Sequence, residues 1–234
     1  MKKIFAKQFP IGLVLLLFAV SLFGQTETSS KVSVTANADI VSRYIWRGLD
    51  FGHSPSIQPT IALQWNDFSL GAWGAYKMTG DGGQETDFFL SKTVGFATFA
   101  LWDYFGFNDT TKFDVFDYNR NTTAHLLEAQ LLLKGGKTLP FNFFTSYFFY
   151  GSDPSKSLYF ELQYEHKYKL ADLMVFAGYQ AKGNYYASSA GLVNIGCTLK
   201  KLVPVTDRLS FPVYLSFIVN PANKVPYLVV GITL

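Results

Sequence analysis

Arg43 and Arg47 stand four residues apart near the start of the chain. Glu128 and Glu161 stand in stretches that are otherwise rich in apolar residues. In an extended chain, residues separated by an even number share one face. Asp39, Arg43 and Arg47 therefore form one polar phase. Glu128 with Gln130 forms a second, Glu161 with Gln163 and Glu165 a third, and Gln58 and Asn194 fall on the polar phases of two more stretches. Charges and amides repeated every second or fourth residue can line a water-filled space and select among small polar solutes. Counted around a ring of about twelve strands, the two arginines fall on the wall opposite Glu128 and Glu161. The expectation is a transverse field across a lumen. The alternative is that the opposed charges pair and brace the wall, because buried charges are seldom left unpaired.

Other chemistries have less to stand on. The histidines are His53, His125 and His166, and the single cysteine is Cys197, so no metal-ligand spacing and no internal disulfide can be read. A lipid hydrolase working at a barrel's outer surface would need a serine beside a histidine. His125 is placed to approach the outer leaflet, but no Gly-x-Ser-x-Gly occurs and no Ser–His pair is forced by the sequence. Asp109, Asp114 and Asp117 lack the ligand pattern of a calcium loop. No enzyme activity and no cofactor are expected. The segment from Phe107 to Thr123 carries Phe113, Phe116 and Tyr118 among acids. It reads as a long surface loop that can meet an external partner or fold into the lumen.

The elements that must position these residues are strands. Along 31–47, Val32, Val34, Ala36, Ala38, Ile40, Ser42, Tyr44 and Trp46 alternate with a mostly polar set that holds Asp39, Arg43 and Arg47. Turn residues cut the chain into twelve strands near 31–47, 55–65, 68–77, 86–94, 96–106, 124–134, 140–150, 156–169, 172–180, 186–199, 208–219 and 225–234. The connections alternate between short ones, such as Asn66-Asp67 and Gly95, and longer polar ones, with 200–207 out of pattern. Short turns on one rim and long loops on the other describe an all-β, transmembrane antiparallel β-barrel with both termini on the periplasmic side. Tyr44, Trp46, Tyr164 and Tyr168 fall near strand ends, where rings with a polar edge form an aromatic girdle. A soluble β-sandwich or lipocalin-like barrel alternates too, but turns its oily face inward.

The start of the chain fits export. Lys2, Lys3 and Lys7 precede a short apolar run, Ile11–Val20, and small residues near Gly24 suit a signal peptidase. The reading is a signal peptide over 1–24 and a barrel domain over 25–234; a single anchoring helix is the alternative, and the run is short for one. Of 20 basic residues, three lie in the leader, leaving 17 against 17 acidic ones. No basic surface asks for nucleic acid. Hydrophobic residues make up 49% without a second long apolar run, so they must be distributed by alternation.

The stretch Ser42-Arg43-Tyr44-Ile45-Trp46-Arg47-Gly48, with Gln58 ten residues on, resembles a Ser-x-Tyr-x-x-Arg-Gly motif near the start of outer-membrane porins of the TorF-like family. Glu85-Thr86-Asp87-Phe88-Phe89-Leu90 is similar to that family's acidic-apolar strand. The resemblance covers about the first third of the chain. It implies an outer-membrane barrel in a Gram-negative bacterium, passing small polar solutes or ions. Its expected partners are outer-membrane lipids, periplasmic chaperones and the barrel-assembly machinery. One departure is the terminal alternation Leu228, Val230, Ile232, Leu234, which lacks the final aromatic ring that such barrels usually carry.

Overall fold

The computed structural model describes residues 32–80, 83–108 and 113–234. The expected leader and Asp109 lie outside them. The strands are β1 Val32–Val41, β2 Ile45–Trp46, β3 Leu49–Asp50, β4 Ser56–Trp65, β5 Phe68–Lys77, β6 Gln84–Val94, β7 Ala97–Phe107, β8 His125–Leu133, β9 Phe141–Gly151, β10 Leu158–Lys167, β11 Asp172–Lys182, β12 Gly191–Thr206, β13 Leu209–Asn220 and β14 Val225–Thr233. Twelve of them pair with their neighbours in chain order and close through β14 and β1. The two-residue strands β2 and β3 form a separate hairpin. Every barrel pair is antiparallel, as short connections require.

The closing seam is the shortest pairing in the barrel. β1 runs ten residues beside β4 but meets β14 only from Asp39↔Thr233 to Val41↔Gly231, with Ala38 and Leu234 exchanging backbone bonds beyond. β1 begins and β14 ends at the rim of short turns. There the connections 66–67, 95–96 and 207–208 are two residues each. The opposite rim carries 42–55, 108–124, 152–157 and 183–190.

Alternation decides the faces. Val32, Val34, Ile61, Leu63, Trp65, Leu70, Leu215 and Phe217 point outward and are exposed, whereas Gln58, Ala62, Glu128, Glu161 and Ser216 on the other phase are buried. The oily face is thus the outer one, the reverse of a soluble barrel. Among the described residues no helix is long and apolar enough to cross a membrane.

Two expected strands have other limits. The first ends at Val41, not at residue 47, because the chain bends at Ser42-Arg43 and leaves the wall. The expected strand 186–199 is instead Gly191–Thr206: the ladder continues through Lys200 and Pro204, with an irregular register beside that proline, to a tight turn at Asp207-Arg208. The out-of-pattern connection is therefore the exposed end of a long hairpin. Val193, apolar and in step with Ile195 and Cys197 in the sequence, is fully buried inside. It is the extra residue of a bulge, since Gly178 faces Asn194 while Tyr179 faces Leu192.

Candidate functional site

After Val41 the chain turns into the lumen. Ile45 pairs with Asp50 and Trp46 with Leu49 across a two-residue turn at Arg47-Gly48, where both residues have positive φ, 49° and 80°. That conformation is the one a tight hairpin prefers, and glycine supplies it without strain. Gly48 is required for a second reason. A Cβ there would lie 2.0 Å from the Val193 carbonyl oxygen. The Asn220 amide, itself fully buried, donates to the Gly48 carbonyl at 3.1 Å. The hairpin tip is thus seated against β12 and β13.

Arg47 fixes the tip to the opposite strands. Its guanidinium makes a two-pronged pair with Glu128 of β8, at 2.5 and 3.0 Å, and donates to the Tyr186 hydroxyl. The side chains are 8% and 0% exposed, so the pair is desolvated. The Tyr104 hydroxyl and Gln130 complete the Glu128 carboxylate. Arg47 also lies over the rings of Trp46, Phe144 and Tyr159. Trp46 packs against Tyr104, Phe148, Tyr185 and Tyr186, and with Leu126 and Val193 these rings make the main apolar core of the molecule. The core of this barrel is its plug.

Outer loops hold Tyr186 in place. Gln180, fully buried, accepts the Tyr186 amide and donates to the carbonyls of Gly183, Ala187 and Ser189, shaping the 183–189 loop around itself. Asp153 accepts bonds from Ser155 and Ser157, whose hydroxyls in turn receive the amides of Asn184 and Tyr185. Burial pushes the Asp153 carboxyl up, but the Ser155 and Ser157 bonds more than reverse that and leave it below the usual carboxylate value. Burial raises the Tyr186 hydroxyl against the pull of Arg47, so it stays neutral.

The expected lumen residues are inside, but their arrangement corrects the expectation of a transverse field. Arg43 and Arg47 are not on a strand. Arg47 crosses the lumen and neutralises Glu128 directly. Arg43 pairs at 3.2 Å with Asp50 of the same hairpin and donates to the His53 carbonyl. Glu161 accepts from Tyr159, Asn194 and Gln163. Glu165 accepts from Asn142 at 3.0 Å nearer the short-turn rim. Gln58 faces the cavity below the hairpin, and Gln130 donates to Tyr104. Asp39 points inward, with Oδ1 buried and unpartnered. Tyr44 and Trp46 leave the girdle: their rings are in the lumen, Tyr44 against Phe51 and Trp73. Tyr164 and Tyr168 flank His166 at the short-turn rim on the outer phase. Sequence reasoning missed Tyr104, Gln180, Tyr186 and Asn220, whose roles come from contacts distant in the chain, and it read Gly48 as a motif residue without its seat against Val193. The glycine at 48, a residue that tolerates positive φ, was the local signal available.

The hairpin divides the lumen into two cavities. The one on the short-turn side, about 480 Å³, is lined by Trp73, Trp102, Tyr104, Gln58, Gln163 and Asp87 among others. The one on the long-loop side, about 290 Å³, is bordered by Ala75, Glu85, Phe107, Phe113 and Tyr185. Tyr44 and Tyr104 border both. Toward the short-turn rim the inward-phase residues Asn37, Thr93, Glu165 and Lys200 remain exposed, so water reaches the lower lumen.

His125 lies on the outer phase, where its Nδ1 is 2.7 Å from Asp103 and its Nε2 is 3.0 Å from the Val115 carbonyl. The Tyr118 ring stacks on it at 4.1 Å and its hydroxyl donates to Asp103. Burial and Asp103 push that hydroxyl up to about 12, so it remains a donor. A histidine oriented by a carboxylate is half of a nucleophile-activating pair, but here the second nitrogen faces a backbone carbonyl, not a hydroxyl. The group clips the long loop to the outside of the barrel. Compared with known proteins, the chain matches no family model, no curated protein and no solved structure.

Proposed function

We propose that this protein is an outer-membrane barrel that passes small polar solutes or ions through a narrow lumen gated by the 42–55 hairpin. One observation carries the reading. The cavities on either side of the hairpin share Tyr44 and Tyr104, so the hairpin narrows the lumen to a constriction beside the β5–β7 wall. A twelve-strand ring is wider than one that side chains alone fill and narrower than an open sixteen-strand channel, which suits a restricted passage. The outward oily belt, the expected leader and the likeness of Ser42, Tyr44, Arg47, Gly48 and Gln58 to the TorF-like motif support the outer-membrane setting. Lipids of that membrane, and the chaperones and assembly machinery that deliver barrels to it, are the partners this reading implies.

A second reading has its own support. The density of bonds around Arg47 suits a permanent plug, and the protein would then serve in surface recognition or structure. Planar-bilayer recording separates the two. Discrete openings of the wild-type protein, made more frequent by Arg47→Ala, support the gate. Silence of both proteins, with the barrel shown folded by its altered gel mobility before boiling, supports the permanent plug.

A further inference from the structure

The hairpin is seated unevenly. On one side it meets Glu128, Phe148, Tyr186, Val193 and Asn220. On the side of β5 and β6 the ring contact is that of Tyr44 with Trp73, 5.4 Å between centroids, and at the root the Met78 amide donates to the Pro55 carbonyl. Glu85 and Asp87 lie two residues apart on the inner phase of β6. Glu85 borders the upper cavity and Asp87 the lower, so the pair spans the constriction.

The β6–β7 pairing is interrupted at this point without a change of register. The β6–β7 ladder passes from Glu85↔Gly106 to Phe88↔Asp103, and Asp87 Oδ1 takes the Phe105 amide at 3.2 Å. Asp87 is 1% exposed, and its other oxygen, Oδ2, is buried without a hydrogen-bond partner. The two lumen arginines are engaged elsewhere, Arg47 by Glu128 and Arg43 by Asp50. Glu85, half-buried, and Asp87, buried, share the inner face of β6 between the two cavities, and two carboxyl groups so placed attract a positive charge. The donors are all oxygens, which select a hard cation. Among the described residues no group of three or more acidic, histidine or cysteine side chains could hold a metal ion, so the site falls short of what a divalent ion needs.

We infer that Glu85 and Asp87 form a weak binding site for a hard monovalent cation between the two cavities. It makes the passage beside the hairpin cation-selective. The site itself stands on this geometry, and only its part in transport rests on the function proposed above.

Caesium ion is a hard monovalent cation that quenches indole on contact, and Trp73 and Trp102 line the cavity into which Asp87 faces. The measurement is caesium quenching of the full chain in detergent, in a Trp65→Phe background that removes the outward indole. Glu85→Gln with Asp87→Asn should lower the caesium quenching constant at least about threefold. Quenching by neutral acrylamide should not change, and gel mobility before boiling reports that the variant is folded. Equal caesium quenching in the two proteins overturns the site, as does its absence in the parent. In bilayers the same substitutions should move the reversal potential in a salt gradient away from cation preference. An unmoved potential in a conducting protein overturns the selectivity. Caesium binding in a protein that never conducts leaves the site standing and sinks the passage.

Discussion

Arg47→Ala is the perturbation that bears most directly on the gate. The guanidinium and the Glu128 carboxylate are 8% and 0% exposed and meet through two contacts. Deleting the arginine leaves a buried carboxylate with the Tyr104 hydroxyl and Gln130 as its remaining partners. Removing one member of a buried pair costs about 3–5 kcal/mol. The barrel wall keeps its own backbone ladders, so that loss falls on insertion of the hairpin and not on the fold. At about 1.4 kcal/mol per tenfold, the ratio of inserted to withdrawn hairpin should fall by two to three and a half powers of ten. In planar bilayers this should appear as a large rise in open probability, with gel mobility before boiling unchanged. Arg47→Met combined with Glu128→Met tests the cause, because replacing both charges by apolar groups of similar size is roughly neutral. The double variant should return toward the wild-type closed state. An Arg47→Ala protein that is folded and conducts like wild type refutes the reasoning, and so does a double variant as open as the single one.

Gly48→Ala should act in the same direction. It places a Cβ 2.0 Å from a backbone oxygen at a φ of 80°, and should weaken seating of the tip by more than about 1 kcal/mol, read as raised open probability. His125→Gln or Tyr118→Phe should release the long loop and speed tryptic cleavage after Arg120 several-fold, for a loss of about 1 kcal/mol of hydrogen bonding, without altering conductance. Asp153 has a folded value below the unfolded one, so its contribution is present above the ordinary Asp range near about 3.9 and is lost as pH falls through the folded value. Hydrogen exchange of the Asn184 and Tyr185 amides should accelerate over that acid range, and Asp153→Asn should remove the pH dependence.

The wall of this protein was legible in its sequence because a barrel strand writes its two faces in alternate residues. Val32 to Ile40 and Leu209 to Phe217 announce an oily face, and the turn residues at 66–67 and 95 announce the short rim. The plug was not legible as such. Ile45-Trp46-Arg47 continues the alternation of β1 without a break, so the period alone extends the strand. What ends it is the bend at Ser42 and the left-handed pair Arg47-Gly48, and the partners that reward the turn are distant: Glu128, Tyr186, Val193 and Asn220. The opposed arginine and glutamate were visible as charges. Their direct contact was not, because strand phase says which face a residue occupies and not whether a segment crosses the space between.

The chemistry of the tip bears on whether the hairpin is a gate or a permanent filling. An apolar plug would be at least as stable as a charged one, since the desolvation of a buried pair offsets most of its attraction. A tip built on Arg47 has a different property: withdrawn into water, the guanidinium and the Glu128 carboxylate both regain solvation. The apolar flank pulls the other way. Exposing Trp46 and Phe51 costs about 1.5–3 kcal/mol each, which keeps the closed state dominant. A hairpin with an oily flank and an ionic tip therefore closes firmly without making the open state prohibitive, as a gate requires. On this reasoning the wild-type protein should rest closed with brief openings, and Trp46→Ala should lengthen them by exchanging the apolar cost of withdrawal for a smaller one.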